Sequence, residues 1–335
     1  MRAAYYETTG TAGDVLKLGD LADPAPGSGE VLVAVRASGI NPADVKRRAG
    51  WRGAGMDHPL IIPHTDGAGE IVAVGTNVDA GRIGERVWLW NAQGGYRQIG
   101  RAFGTAAELI AINARQAVRL NEHLTFAEGA CLGVPAMTAH RAVFADGRVT
   151  DKTVLVSGAA GAVGHFAVQM AALDGARVIG TVSNEASALH AKDAGAEITI
   201  NRTQENVAAR ILDLTDGAGV DRIIEVDFAA NAALAAAVLK PNGTIAAYSS
   251  SSNPEPVLSY YGFASLGANL RFIQGFAIPE GARRAGEETI DALAGSGRLK
   301  VAIGATFSLA DIALAHERVE AGGLGNVVVF PETPA

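Results

Sequence analysis

Val154-Leu155-Val156-Ser157-Gly158-Ala159-Ala160-Gly161-Ala162-Val163-Gly164 is a buried-type strand that runs into glycines at every third position and then into an apolar helix. Without a Cβ the backbone turns sharply, lies close to a pyrophosphate and lets the helix pack tightly, while the helix N-terminus offers amide donors and a favourable dipole. A glycine triplet alone also occurs in turns without a ligand, and Gly-x-x-Gly-x-x-Gly departs from the usual dinucleotide spacing. Its place between strand and helix gives it meaning: the chemistry is that of a dinucleotide site built on Gly158, Gly161 and Gly164.

Working outward, residues from about 150 alternate strand and helix. Strands are predicted at Thr153 to Ser157, Arg177 to Thr181, Glu197 to Ile200, Asp221 to Val226, Thr244 to Tyr248 and Leu270 to Gly275, with Ala-rich helices at 162–173, 185–194, 203–214 and 229–240. That rhythm predicts an α/β, doubly wound, six-stranded parallel sheet covered on both faces. Pro241-Asn242-Gly243 reads as a turn into the fifth strand. The first 120 or so residues instead carry short alternating runs such as Val31-Leu32-Val33-Ala34-Val35, separated by turns such as Pro26-Gly27-Ser28-Gly29, the texture of a β-rich domain. Thr125-Phe126-Ala127-Glu128 has capping-box spacing and is read as the start of a new domain. The expected division is 1–124, 125–280 and a segment 281–335, with a helix near 284–294 and a last strand, Val327 to Phe330, returning to the first domain.

Composition narrows the function classes. The 335 residues exceed the usual size of one core, and 48% apolar with 19% charged residues argues for a folded chain. A formal charge of −7 without a Lys/Arg run points away from nucleic acid. Cys131 is the sole cysteine, which rules out an intrachain disulfide and a four-thiolate zinc site and suits a reducing compartment; it reads as a core thiol. The N-terminal residues lack a signal-peptide core and no stretch approaches the roughly 18 apolar residues of a membrane span, so a cytoplasmic protein without membrane partners is expected.

The second Rossmann strand ends in Gly180-Thr181-Val182-Ser183-Asn184, where an NAD site would place an acid against the ribose 2′-hydroxyl. Neutral donors there favour NADPH, with Glu185 nearby as the contrary sign. Arg202 is read either as a cation for the 2′-phosphate or as a solvated loop residue.

With these motifs in view, and with Gly39-Ile40-Asn41-Pro42-Ala43-Asp44, Pro63-His64-Thr65-Asp66-Gly67-Ala68-Gly69, Gly84-Glu85-Arg86-Val87, Gly104-Thr105-Ala106-Ala107-Glu108 and Gly219-Val220-Asp221, the chain resembles the zinc-independent quinone oxidoreductases, the zeta-crystallin-like branch of the medium-chain dehydrogenase/reductase superfamily. The resemblance implies a GroES-like β domain, a Rossmann domain, a substrate cleft between them and a homodimer. It also implies cofactor contacts at Ala160 to Val163, Gly180, Ser183, Asn184, Asn201, Tyr248, Ser249, Phe276, Ala277 and Ile278. Zinc-dependent relatives carry ligands where this chain has Asn41, Thr65 and Val134, so no metal is expected.

The implied chemistry is hydride transfer from NADPH to a small conjugated carbonyl compound such as a quinone. Activated alkenes of the enone or haloacrylate type are the nearest alternative, and a catalytically silent nucleotide-binding structural or regulatory protein is the rival from another class. Asn41 is the candidate hydrogen-bond donor, and Lys46 or His64 the candidate proton source. Lys46 and Arg52 stand where relatives carry Tyr, and with Trp51 and Tyr248 they are candidate cleft residues, each cation with solvent as the alternative direction. The insertion Trp88 to Tyr96 is expected to form a cleft lip or a subunit contact.

Overall fold

The computed structural model describes residues 1–53, 55–94 and 100–331. The chain forms two compact units, Met1–Pro135 with Glu287–Ala335, and Ala136–Gly286. Among the described residues no helix is long and apolar enough to cross a membrane.

The first unit is built on a sheet in the order Ile303–Ser308, Asn326–Phe330, Glu30–Ile40, Asp66–Val74, Arg86–Leu89, Ala117–Arg119, with Leu109–Asn113 also pairing with Glu30–Ile40. Alternation in the Glu30–Ile40 strand sends Val31, Val33 and Val35 into a core with Ile71, Val87, Leu89, Ile110 and Ile112. Burying each such side chain contributes about 1.5–3 kcal/mol. From Ala37 the strand is buried throughout, and Ile40 joins a second core with Val45, Ile62, Leu309, Ile312 and Val329. The terminal strand Asn326–Phe330 closes this side, pairing antiparallel through Val327↔Ile40 and Val329↔Ser38.

The second unit holds six parallel strands in the order Ile198–Asn201, Arg177–Val182, Thr153–Val156, Val220–Glu225, Leu239–Ala247, Asn269–Phe272. Strand order reverses between Thr153–Val156 and Val220–Glu225, where open α/β sheets bind ligands at their C-terminal edge. The fold is thus α/β, a GroES-like β unit and a Rossmann unit.

Two local expectations change. Pro241-Asn242-Gly243 lies inside the strand Leu239–Ala247 rather than before it: the ladder steps from Val220↔Leu239 to Arg222↔Thr244 and Asn242 takes φ 62°, so the turn chemistry makes a bulge. The division at 125 moves to Pro135/Ala136, because the Thr125-capped helix Phe126–Gly129 is only four residues long and packs on Glu30–Ile40, Asp66–Val74 and Arg86–Leu89 of the first unit. At the other end the helix Glu280–Gly295 runs across the Gly286/Glu287 division, so the boundary expected at 281 falls within it.

Candidate functional site

In the Rossmann unit the strand Thr153–Val156 delivers Ser157 and Gly158 to the start of the helix Ala162–Leu173. Gly158 turns with φ 64°, a left-handed conformation that a side chain disfavours. A Cβ on Gly164 would stand 2.2 Å from the Gly158 carbonyl oxygen, and one on Gly180 2.6 Å from the Ala159 Cβ, so helix and neighbouring strand press directly on the turn. Gly161 is exposed and its N–H closes the turn on the Gly158 carbonyl at 2.9 Å, while Ala162 and Val163 are half-buried and, as first-turn residues, have amides with no helical carbonyl one turn earlier. This cradle fits a pyrophosphate: a Cβ would fill it, and it ends on free amide donors.

Beside it, Val182, Ser183, Asn184, Glu185, Thr199, Asn201 and Glu205 help line a groove of about 440 Å³. Asn184 Oδ1 is committed as the N-cap of the helix Glu185–Asp193, accepting the Ser187 N–H at 2.8 Å. Asn201 Oδ1 accepts from Thr203 and its backbone N–H donates to Glu205 at 2.7 Å. Arg202 follows with an exposed side chain outside the groove lining. Tyr248 and Ser249 leave the fifth strand with backbone bonds to Glu225 and Phe228, and Phe276, Ala277 and Ile278 lie in the loop after the sixth. The structure therefore gathers the sequence-selected cofactor residues along one edge of one sheet.

In the GroES-like unit the positions without metal ligands have other partners. Asn41 caps the helix Pro42–Arg48 and its Nδ2 donates to Asp66 Oδ2 at 2.8 Å, the oxygen that also accepts the Val134 N–H at 2.7 Å. Thr65 Oγ1 donates to Asp44 Oδ1 at 2.6 Å, and the Asn41 N–H to Asp44 Oδ2 at 2.8 Å. Both carboxylates are buried. Burial outweighs these hydrogen bonds and raises both carboxyls, Asp66 to about 8. Among the described residues no group of three or more His, Cys, Asp and Glu is arranged to hold a metal ion. The donors at 41, 65 and 134 are an amide, a hydroxyl and a backbone N–H, poor ligands for zinc.

His64 departs from its expected place. It is fully buried, with Nδ1 2.7 Å from Ser38 Oγ and Nε2 2.9 Å from His316 Nε2; Ser38 continues to Thr105 at 2.7 Å. Burial, and then the neighbouring ring, hold it well below the usual imidazole range. It adopts φ 76°, an uncommon conformation for a side-chain-bearing residue. Its ring nitrogens thus meet Ser38 and His316 rather than open surface. Lys46 and Arg52 both lie against Trp51, with Nζ 4.8 Å and the guanidinium carbon 3.9 Å from the ring centroid. The insertion's Trp88 and Trp90 are 2% and 5% exposed, which corrects the expectation of a lip or contact surface for them; Tyr96 lies outside the described residues. Cys131 is a buried thiol donating to the Ala127 carbonyl, and burial pushes its pKa up.

Sequence reasoning missed Asp66, Asp44, Ser38 and His316 as partners, and Glu225 with Asn231 beneath the glycine turn. The signal for Glu225 was available: a lone acid ending the apolar run Ile223-Ile224.

Comparison with known proteins agrees with this architecture. Residues 27–122 match the alcohol dehydrogenase GroES-like domain and residues 162–295 the family described as zinc-binding dehydrogenase; Asn41, Thr65 and Val134 all lie outside the second match. The quinone oxidoreductase of Homo sapiens is 30% identical over 333 residues, covering 95% of this chain and 94% of that protein. That of Pseudomonas aeruginosa is 29% identical over 95% and 96%. A mycobacterial protein solved in complex with NADPH superposes with a TM-score of 0.86 at 28% identity, covering 99% of this chain and 100% of that one. The chain belongs to the medium-chain dehydrogenase/reductase superfamily of oxidoreductases, in its quinone oxidoreductase, zeta-crystallin-like branch.

Proposed function

We propose that this chain is an NADPH-dependent reductase of quinones or similar conjugated carbonyl compounds, and that it works without a metal. The observation that carries the reading is the engagement of Asn41, Thr65 and Val134 with two buried carboxylates, in a chain that retains a complete dinucleotide turn. Bound NADPH supplies a hydride from nicotinamide C4. The chain's own part is to bind, orient and donate. The amides of Ala162 and Val163 take the pyrophosphate, and Ser183, Asn184 and the Arg202 side chain take the 2′-phosphate. The relative solved with NADPH and the neutral end of the second strand support this choice of cofactor.

Asp66 accepts from the Asn41 amide and Asp44 also bonds that side chain, so the amide plane is held fixed, and its Nδ2 is the donor we assign to the oxygen on which negative charge develops. A preorganised donor of that kind is worth about 3 kcal/mol in a water-poor site. With His64 closed off, Lys46 is the remaining side-chain proton source. A second reading, an activated alkene bearing a carboxylate, is favoured by Lys46 and Arg52 standing together on Trp51.

A homodimer fits the open edge of the Rossmann sheet. Asn269–Phe272 is its last strand, and Tyr260, Tyr261 and Phe272 near it are 75%, 82% and 71% exposed.

The test is NADPH and NADH consumption followed by absorbance across quinones, enones and haloacrylates, with Asn41→Ala and Lys46→Ala variants and with EDTA pretreatment. Turnover of quinones with NADPH, a rate about a hundredfold lower in Asn41→Ala and indifference to EDTA are expected. Tight NADPH binding without turnover of any acceptor would leave the silent nucleotide-binding protein standing instead.

A further inference from the structure

We infer that Glu225 is a positioning residue for the dinucleotide turn, holding Ser157 through Asn231. The inference rests on the cofactor reading above and assigns a residue that the glycine motif does not contain.

Glu225 ends the strand Val220–Glu225 at the C-terminal edge of the sheet, next to the point where strand order reverses, and is 1% exposed. Its Oε1 accepts the Asp227 N–H at 2.6 Å and Asn231 Nδ2 at 2.8 Å. Asn231 Nδ2 also donates to Ser157 Oγ at 3.2 Å, and the Ser157 N–H bonds the Ile224 carbonyl at 2.9 Å. Ser157 is the residue before Gly158, whose missing Cβ would stand 3.2 Å from Val226. The entrance of the turn is therefore tied by backbone to Ile224, by side chain to Glu225 and by packing to Val226.

The surroundings argue about charge. The groups facing Glu225 are the Ser157 hydroxyl from the first strand, the Asn231 amide from the helix Phe228–Val238, Tyr248 from the fifth strand and the Asp227 carboxylate. None is a cation, and Asp227 has the same sign. Burial pushes the Glu225 carboxyl above its usual range, against the opposing effect of its hydrogen bonds.

The experiment is a fluorescence titration of the full chain with NADPH, without acceptor, near neutral pH. Wild type, Glu225→Gln, Glu225→Ala, Asn231→Ala and the Glu225→Ala/Asn231→Ala double variant are compared, each checked for folding by thermal melt. Glu225→Gln keeps an oxygen that can accept from the Asp227 N–H and from Asn231. It is expected to bind within about twofold of wild type, while Glu225→Ala and Asn231→Ala each weaken binding roughly tenfold, the scale of one hydrogen bond. The double variant should bind no more weakly than the weaker single. Asn231 is half-buried on a helix, so its variant keeps the test open should Glu225→Ala not fold. Weak binding by Glu225→Gln, or unchanged affinity in Asn231→Ala, would overturn the assignment while wild type still binds NADPH. Wild type that binds no NADPH would overturn the cofactor reading as well.

Discussion

The Asn41 side-chain amide donates to Asp66 Oδ2 at 2.8 Å inside the GroES-like unit, and the same oxygen accepts the backbone N–H of Val134 at 2.7 Å. One buried carboxylate thus joins two of the three positions that hold metal ligands in zinc-dependent relatives. Removing it leaves two buried donors without an acceptor, at about 1–3 kcal/mol each. Asp66→Ala is expected to lose on the order of 2–5 kcal/mol of stability and to lower kcat more than it raises KM, whereas Asp66→Asn keeps an acceptor and most of both. Urea denaturation and steady-state kinetics on the two variants check this.

The pH dependence of stability carries a separate signature of Asp66. Its folded-state pKa of about 8 lies above the ordinary 3.8, so the folded chain binds the extra proton. That contribution is present in full below the unfolded value and is lost as pH rises through the folded one. Between roughly pH 4 and 8 a group of this kind lowers stability by on the order of 1 kcal/mol per pH unit. Denaturation midpoints from pH 5 to 8.5 should fall more steeply in wild type than in Asp66→Asn; parallel curves would refute the assignment.

His316 has the opposite sign. Burial, with Arg48 adding to it, depresses its ring to about 3 from the ordinary 6.5. The folded chain holds it neutral beside His64, so this stability is present above about pH 6.5 and is lost on acidification below it. Thermal melts from pH 7 to 5 should show a shallower acid decline in His316→Gln than in wild type. The idea fails if the two decline alike.

At the glycine turn, a methyl group on residue 164 meets the Gly158 carbonyl oxygen at 2.2 Å, a backbone atom that cannot move without moving the turn. Gly164→Ala should weaken NADPH binding by more than tenfold and lower the melting temperature by several degrees. Calorimetric titration with NADPH measures the first effect directly, and retained affinity would show that the turn tolerates the shift.

Exposed aromatics beside an open sheet edge predict the assembly state. Sedimentation velocity should find a dimer for wild type and a monomer for the Tyr261→Asp/Phe272→Glu double variant, with NADPH binding retained in the monomer. A double variant sedimenting as wild type would place the interface elsewhere.

The Rossmann unit was legible in the sequence because its signals are local. Apolar runs of strand length, Ala-rich helices between them and glycines where the backbone must turn are all set within a few neighbouring residues. Asn242 shows the limit even there: its turn propensity was read correctly, but whether it ends a strand or bulges one depends on the ladder with Val220 and Arg222. The partners of Asn41 depended on tertiary structure alone. Asn41, Asp66 and Val134 are brought together by the pairing of the Glu30–Ile40 and Asp66–Val74 strands and the return of the chain after Gly129. His64 was misplaced for the same reason, since its partner His316 lies 252 residues away. Local conformation is encoded by adjacent side chains, whereas the burial and hydrogen bonding of a polar group depend on segments that meet only when the core closes.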